Sequence, residues 1–327
     1  MSAASSPATA RVGPKGCFTR EFRTVTNLAR RAAMASVAAA LLLGGLKAYA
    51  AWRTGSVAML ASLADSVLDL VASLVTLGGV HWAAQPADDN HRFGHGKAEA
   101  LAALFQVVII TISALAILIR AIESFTRMGT PSAPESGIAV SLFAMAVTLM
   151  LTRYQQHVIA KTGSIAIGTD RLHYQSDFYL NAAVIAALAL DAYLGLRGAD
   201  ALFGVAIALW LLFGAWRASE AAIDQLMDKE WPEEKRRAFV EVAARHPELK
   251  SLHDLRTRTS GARDFVQFHV AMDPAMTIAA AHDVVERLEI ALGAEFPGAE
   301  ILIHIDPEGQ IDEPGNKLVE TDLLKEL

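Results

Sequence analysis

Asp65 and Asp69 stand four residues apart within Ser56–Trp82, an apolar stretch with no other acid and no Lys or Arg. Four residues make about one helical turn, so both carboxylates fall on one face of a helix. About 20 apolar residues, rising about 1.5 Å each, cross a bilayer core, so this stretch is long enough to span a membrane. An acid at mid-membrane costs about 2.5–3.5 kcal/mol on insertion scales and therefore faces a partner or a polar cavity. His173 and Asp177 repeat the same spacing further along, again leading into an apolar run. Three carboxylates and an imidazole, drawn from two helices, make a four-coordinate nitrogen-and-oxygen set for a divalent cation. A single intramembrane acid can be a structural hydrogen-bonding group, but two pairs at one spacing point to a site.

Two further groups carry ligand types. The loop after the first acidic pair contains Asp88, His91 and His95, with Gly94 and Gly96 leaving the backbone free to fold around an ion. By composition alone a loop of this kind is more often simply a polar loop. Near the C-terminus stand His253, His269, His282, His304 and Asp306. They come from separate candidate elements, so only folding can bring them together. His304 and Asp306 alternate onto one face of a candidate strand. Cys17 is the only cysteine, which removes disulfide frameworks and thiolate zinc sites, so any metal chemistry runs on His, Asp and Glu. No HExxH pattern and no nucleophile motif accompanies these residues, so an enzyme is not expected.

The elements that must position these groups follow from the composition. The chain has 327 residues, is 53% hydrophobic and has a mean hydropathy of +0.32, which fits a polytopic membrane protein with a soluble appendage. Its net charge of −6 does not favour nucleic acid. Six candidate spans are Ala32–Trp52, Ser56–Trp82, Ala100–Ile119, Gly137–Thr152, Phe178–Leu196 and Ala201–Trp216. Lys47 lies near the outer end of the first, where it can snorkel to the interface. Asp65 lies near the outer end of its span, whereas His173 and Asp177 precede the fifth apolar run. Their depths match only if the fifth helix tilts strongly or leaves the membrane near Asp191.

Arg11, Lys15, Arg20, Arg23, Arg30, Arg31, Arg92, Lys97, Arg153, Lys161 and Arg171 fall on one side of this arrangement. Arg53, Arg120, Arg127 and Arg197 fall on the other. The positive-inside rule then places both termini in the cytoplasm. Residues 1–31 read as a cytoplasmic arm, disordered over residues 1–20, and 32–228 as the six-helix membrane domain. Residues 229–307 read as a cytoplasmic α+β domain of order αββαβ, with its helices on one face of the sheet. Its helix runs from Pro232 to about Arg245. Strands follow at Ser251–Thr259 and Arg263–Met272, a helix at Ile278–Leu292 and a last strand at Ile301–Ile305. Residues 308–327 read as a flexible tail.

Taken together, Asp65-x-x-x-Asp69, His173-x-x-x-Asp177, the loop QPADDNHRFGHGKAE, HDLRTR at His253 and IHIDP at His304 resemble the cation diffusion facilitator family. The similarity is greatest to its bacterial ferrous-iron-efflux and zinc-efflux branch and covers nearly everything from Ala32 to Pro307. The resemblance implies a six-helix exporter that exchanges a divalent metal for protons. It also implies a metallochaperone-like cytoplasmic domain through which the protein forms a homodimer in the bilayer. It assigns Asp65, Asp69, His173 and Asp177 to the transport site, and Asp88, His91 and His95 to a loop site. His253, His269, His282, His304 and Asp306 match a binuclear cytoplasmic site. The long N-terminal arm is the departure from the family. Zn²⁺ is the expected ion, both transported and bound in a structural or regulatory role, with Cd²⁺ and Fe²⁺ as neighbours in ligand preference. The alternative is a metal-responsive membrane sensor in which the quartet binds but nothing crosses.

Overall fold

In the computed structural model, residues 15–54, 57–127, 135–194, 198–309 and 322–325 are described. They form two compact units. The first in chain order is a bundle of long helices: α1 (Lys15–Thr54), α2 (Val57–Ala83), α3 (Ala98–Arg127), α4 (Glu135–Thr162), α5 (Ile165–Leu194) and α6 (Ala199–Leu226). Among the described residues, four stretches are long and apolar enough to cross a membrane: Arg23–Arg53, Asp65–Ala83, Ala98–Glu123 and Ala201–Leu226. The helices α4 and α5, 28 and 30 residues long, are also long enough to cross a bilayer and carry Gln155, Asp170, His173 and Asp177.

The bundle buries polar side chains among small and apolar ones and exposes large apolar side chains. Gln106, Gln155, Asp170, Thr76 and Ser73 are fully buried, while Trp52, Ile112, Met150, Phe213 and Trp216 are exposed. Hydrocarbon offers no hydrogen bonds, so polar side chains must find partners within the bundle. Small residues let the helices approach closely enough for this. A Cβ on Gly79 of α2 would lie 2.4 Å from the Cβ of Ala102 on α3, and one on Gly204 of α6 would lie 2.9 Å from that of Ala121.

The helices outrun the apolar stretches that announce them, because a backbone hydrogen-bond ladder continues into polar sequence at no cost. Two consequences correct the sequence reading. Residues 15–20, expected within the disordered part of the arm, are helical as the start of α1; residues 1–14 lie outside the described residues. The fifth helix begins at Ile165 and not at Phe178, so His173 and Asp177 sit well inside it. Most of the expected tail, 310–321 and 326–327, also lies outside the described residues, while Leu323–Lys325 form a short 3₁₀ turn.

The second unit contains α7 (Glu233–Ala243), β1 (Ser251–Ser260), β2 (Arg263–Met272), α8 (Ile278–Glu295) and β3 (Ala299–Pro307). The sheet order is β1-β2-β3. A two-residue connection joins β1 to β2, the span of a hairpin. β3 returns parallel to β2 after the α8 crossover. Val266, Phe268, Val270 and Met272 alternate into one core with Phe239 of α7 and Leu288 and Leu292 of α8. Both helices therefore cover the same face of the sheet. Pro232 stands at the N-cap of α7, one residue before its first turn.

Candidate metal centre

The helix α2 contributes Asp69 and α5 contributes His173 and Asp177. One ligand atom from each of the three lies within 4.8 Å of the other two. His173 is buried, and its Nε2 lies 3.0 Å from Asp69 Oδ1. Two carboxylates and an imidazole thus face one another between helices in the bundle. Asp65, one turn earlier on α2, is exposed and stands outside this group of three. Lys47 does not simply extend outward: its Nζ donates to Ser66 Oγ at 2.7 Å, beside Asp65.

The sequence reading missed Asp170, which it left in the loop before the fifth span. Asp170 is fully buried one turn before His173. Ser36 of α1 donates to its Oδ2 at 2.6 Å, Gln155 of α4 to the same oxygen at 2.8 Å, and Gln106 of α3 to Oδ1 at 2.9 Å. The i, i+3, i+7 spacing of Asp170, His173 and Asp177, which places all three along one helix face, was the available signal. Tyr174 donates to Ser36 O at 2.9 Å and pairs with Ser73 Oγ at 2.8 Å.

The loop residues Asp88, His91 and His95 also converge within 4.8 Å. Asp88 Oδ1 accepts the backbone N–H groups of Asn90 at 2.9 Å and His91 at 2.6 Å, an Asx turn that shapes the loop. His91 Nδ1 lies 3.1 Å from Asp88 Oδ1 and His95 Nε2 3.4 Å from Oδ2. The backbone N–H of His91 holds the Asp88 carboxyl below the usual carboxylate range, opposed by desolvation and helped to a lesser extent by the backbone N–H of Asn90. His95 is buried whereas His91 and Asp88 are exposed, so the group opens to one side.

In the second unit His253 of β1, His269 of β2 and Asp306 of β3 come within 4.8 Å. Asp306 is buried and central: its Oδ2 lies 2.9 Å from His269 Nδ1 and 3.5 Å from His253 Nε2, and its Oδ1 lies 3.2 Å from His304 Nε2. Strand pairing accounts for this, since His269 and His304 are direct partners in the parallel register. His282 is exposed on α8 and stands outside the group. Asp254, which the sequence reading passed over, adopts φ 48 and brings its Oδ2 to 3.8 Å from His269 Nε2.

Residues 33–227 match the description "Cation efflux transmembrane domain" and residues 231–308 match "Cation efflux protein, cytoplasmic domain". The cation-efflux pump FieF of Pectobacterium atrosepticum is 44% identical over 282 residues, 86% of this chain and 94% of that protein. FieF of Serratia proteamaculans is 45% identical over 280 residues, 86% of this chain and 93% of that one. Among solved structures, the zinc form of the zinc transporter CzrB is 36% identical over 26% of this chain and 99% of that one, with a TM-score of 0.24. The chain belongs to the cation diffusion facilitator family and is a multi-pass membrane cation-efflux transporter with a cytoplasmic dimerisation domain.

Proposed function

We propose that this protein exports Zn²⁺ in exchange for protons, with Asp65, Asp69, His173 and Asp177 as the carrier site. The observation that carries the reading is the meeting of Asp69, His173 and Asp177 between two helices of the bundle. A mixed nitrogen-and-oxygen set suits zinc and accommodates cadmium and ferrous iron, whereas magnesium and manganese favour oxygen alone. Zinc is bound by neutral imidazole and by carboxylate, so protons held by the empty site leave as the metal enters. A site that is either protonated or metal-loaded carries less net charge across the low-dielectric interior than a bare cluster of carboxylates.

The remaining assignments follow the same reading. The chain crosses the inner membrane six times with both termini in the cytoplasm, supported by the distribution of Arg and Lys between the two sides. Asp88, His91 and His95 hold a second ion at the loop. His253, His269, His282, His304 and Asp306 hold zinc in the cytoplasmic domain of a homodimer. The donor set around Asp306 fits, because its oxygens already face three imidazoles. Purified protein in liposomes loaded with a zinc-sensitive dye tests the reading. Saturable entry of zinc supports transport, and zinc binding with no flux above protein-free liposomes would make the protein a sensor.

A further inference from the structure

The buried carboxylate of Asp170 has no part in the carrier site as described, yet four helices meet at it. Its three hydrogen-bond donors come from α1, α3 and α4, while Asp170 itself belongs to α5, the helix that supplies His173 and Asp177. All four residues are 0% exposed. We propose that Asp170 is a positioning residue for the carrier site: its hydrogen bonds fix the rotation and depth of α5 and so hold His173 and Asp177 against Asp69 of α2. This rests on the carrier reading above.

The hydrogen-bond accounting shows why an acid stands there. A carboxylate is an acceptor only and takes all three donors at once. Gln106 turns its second N–H to α2, where its Nε2 lies 2.9 Å from Thr76 Oγ1 and 3.3 Å from Ala72 O, which ties α3 to α2. Gln155 spends its second on Ser36 Oγ at 3.0 Å. The amide oxygens of Gln106 and Gln155 are buried without a hydrogen-bond partner, so both glutamines are oriented by what they donate to. A second tie lies one residue beyond His173. Tyr174 bonds Ser36 O on α1 and Ser73 Oγ on α2, and Ser73 is one turn beyond Asp69. The two helices that share the ligands are thus locked through Asp69–His173 and Ser73–Tyr174, with Asp170 anchoring α5 to the other helices one turn away.

Asp170→Asn would break this pattern in a particular way. The amide turns one acceptor into a donor, and the smaller loss is to face its N–H₂ toward Gln106, keeping Ser36 and Gln155 bonded. Gln106 then opposes donor with donor, or turns over and releases Thr76. Adding Gln106→Glu restores the pairing with residue 170: the new carboxylate accepts from the new amide and from the Thr76 hydroxyl, only Ala72 O loses its donor, and the charge has moved by one side chain.

The experiment uses the full-length protein in liposomes and reads zinc flux, apparent KM and the Zn²⁺ to Cd²⁺ ranking. Metal-free thermal stability is measured alongside. Asp170→Asn should remain a folded dimer and raise the KM for zinc by about tenfold or more, the scale at which partners behind metal ligands act. Asp170→Asn combined with Gln106→Glu should return KM to within about threefold of the wild type. A wild-type KM and metal ranking in Asp170→Asn would overturn the proposal. So would a double variant no better than the single one, since a carboxylate would then be needed at 170 itself. If Asp170→Asn does not fold, Ser36→Ala and Gln155→Met each remove one donor and should each raise KM severalfold; an unchanged KM in both would overturn it. Absence of saturable flux in the wild type defeats the carrier reading instead, and zinc-binding calorimetry on the same variants then decides the positioning role separately.

Discussion

His173 Nε2 stands 3.0 Å from Asp69 Oδ1, joining two helices across 104 residues of sequence. The contact is available because α5 begins at Ile165, eight residues before His173, and α2 continues to Ala83. Both residues therefore lie inside long helices, and α5 ends at Leu194, close beyond Asp191.

From this pairing, Asp69→Ala, His173→Ala and Asp177→Ala should each reduce saturable zinc flux in liposomes to the protein-free background while leaving a folded dimer. Three remaining ligands do not satisfy a desolvated zinc ion, and water is a poor substitute in a dry site. Asp65→Ala should behave alike if metal entry draws its carboxylate inward. Retained saturable flux in that variant would remove Asp65 from the site.

His173→Asp converts the set to oxygen alone. Oxygen sets suit harder ions, so competition assays should show Mn²⁺ gaining on Zn²⁺ relative to the wild type. An unchanged order of competition would show that the imidazole does not set the preference.

The cytoplasmic site should stabilise its own domain by mass action. A ligand bound only to the folded state contributes about 2.7 kcal/mol at a hundred times its Kd. Residues 229–327 contain the core together with Leu323 and Leu324, which pack against it, so calorimetry on that fragment should show Tm rising with zinc concentration. His269→Ala and Asp306→Ala should lose most of the rise, because Asp306 faces three imidazoles and His269 lies nearest to it. His282→Ala reports whether that exposed side chain joins once a partner subunit is present: its effect should appear in the full-length dimer and be smaller in the fragment.

At the loop, the depressed titration of Asp88 fixes the sign of a pH effect. A carboxyl held below its ordinary range stabilises the turn above that range, and the contribution is lost only as pH falls through the depressed value. The turn should therefore persist into mild acid. Asp88→Ala removes both the turn acceptor and a ligand, so equilibrium dialysis at neutral pH should show about one bound zinc fewer per protomer. Unchanged stoichiometry would leave the loop a structural turn.

The residues that were legible are those whose spacing matches a helix turn or a strand alternation. Asp69, His173 and Asp177 could be found because i, i+4 pairs in apolar sequence are rare, and Val266, Phe268, Val270 and Met272 because alternation marks a strand face. Asp170 was not found. The polar residues that line a bundle depress the hydropathy that marks its helices, so the start of α5 reads as loop. The meeting of His253, His269 and Asp306 needed the parallel pairing of β2 with β3, which no local pattern specifies. Lys47 reads as an interfacial lysine from its position alone, and only packing turns it onto Ser66.

The central claim, that zinc and protons are exchanged at one carrier site, is tested most directly by zinc flux in liposomes under imposed pH gradients, with internal pH followed in parallel. An inward-directed proton gradient should drive zinc outward, reversing the gradient should reverse the flux, and zinc export should raise the pH of the acidic side. Zinc flux that ignores both the size and the sign of the proton gradient would contradict the account and leave a passive pathway for the metal.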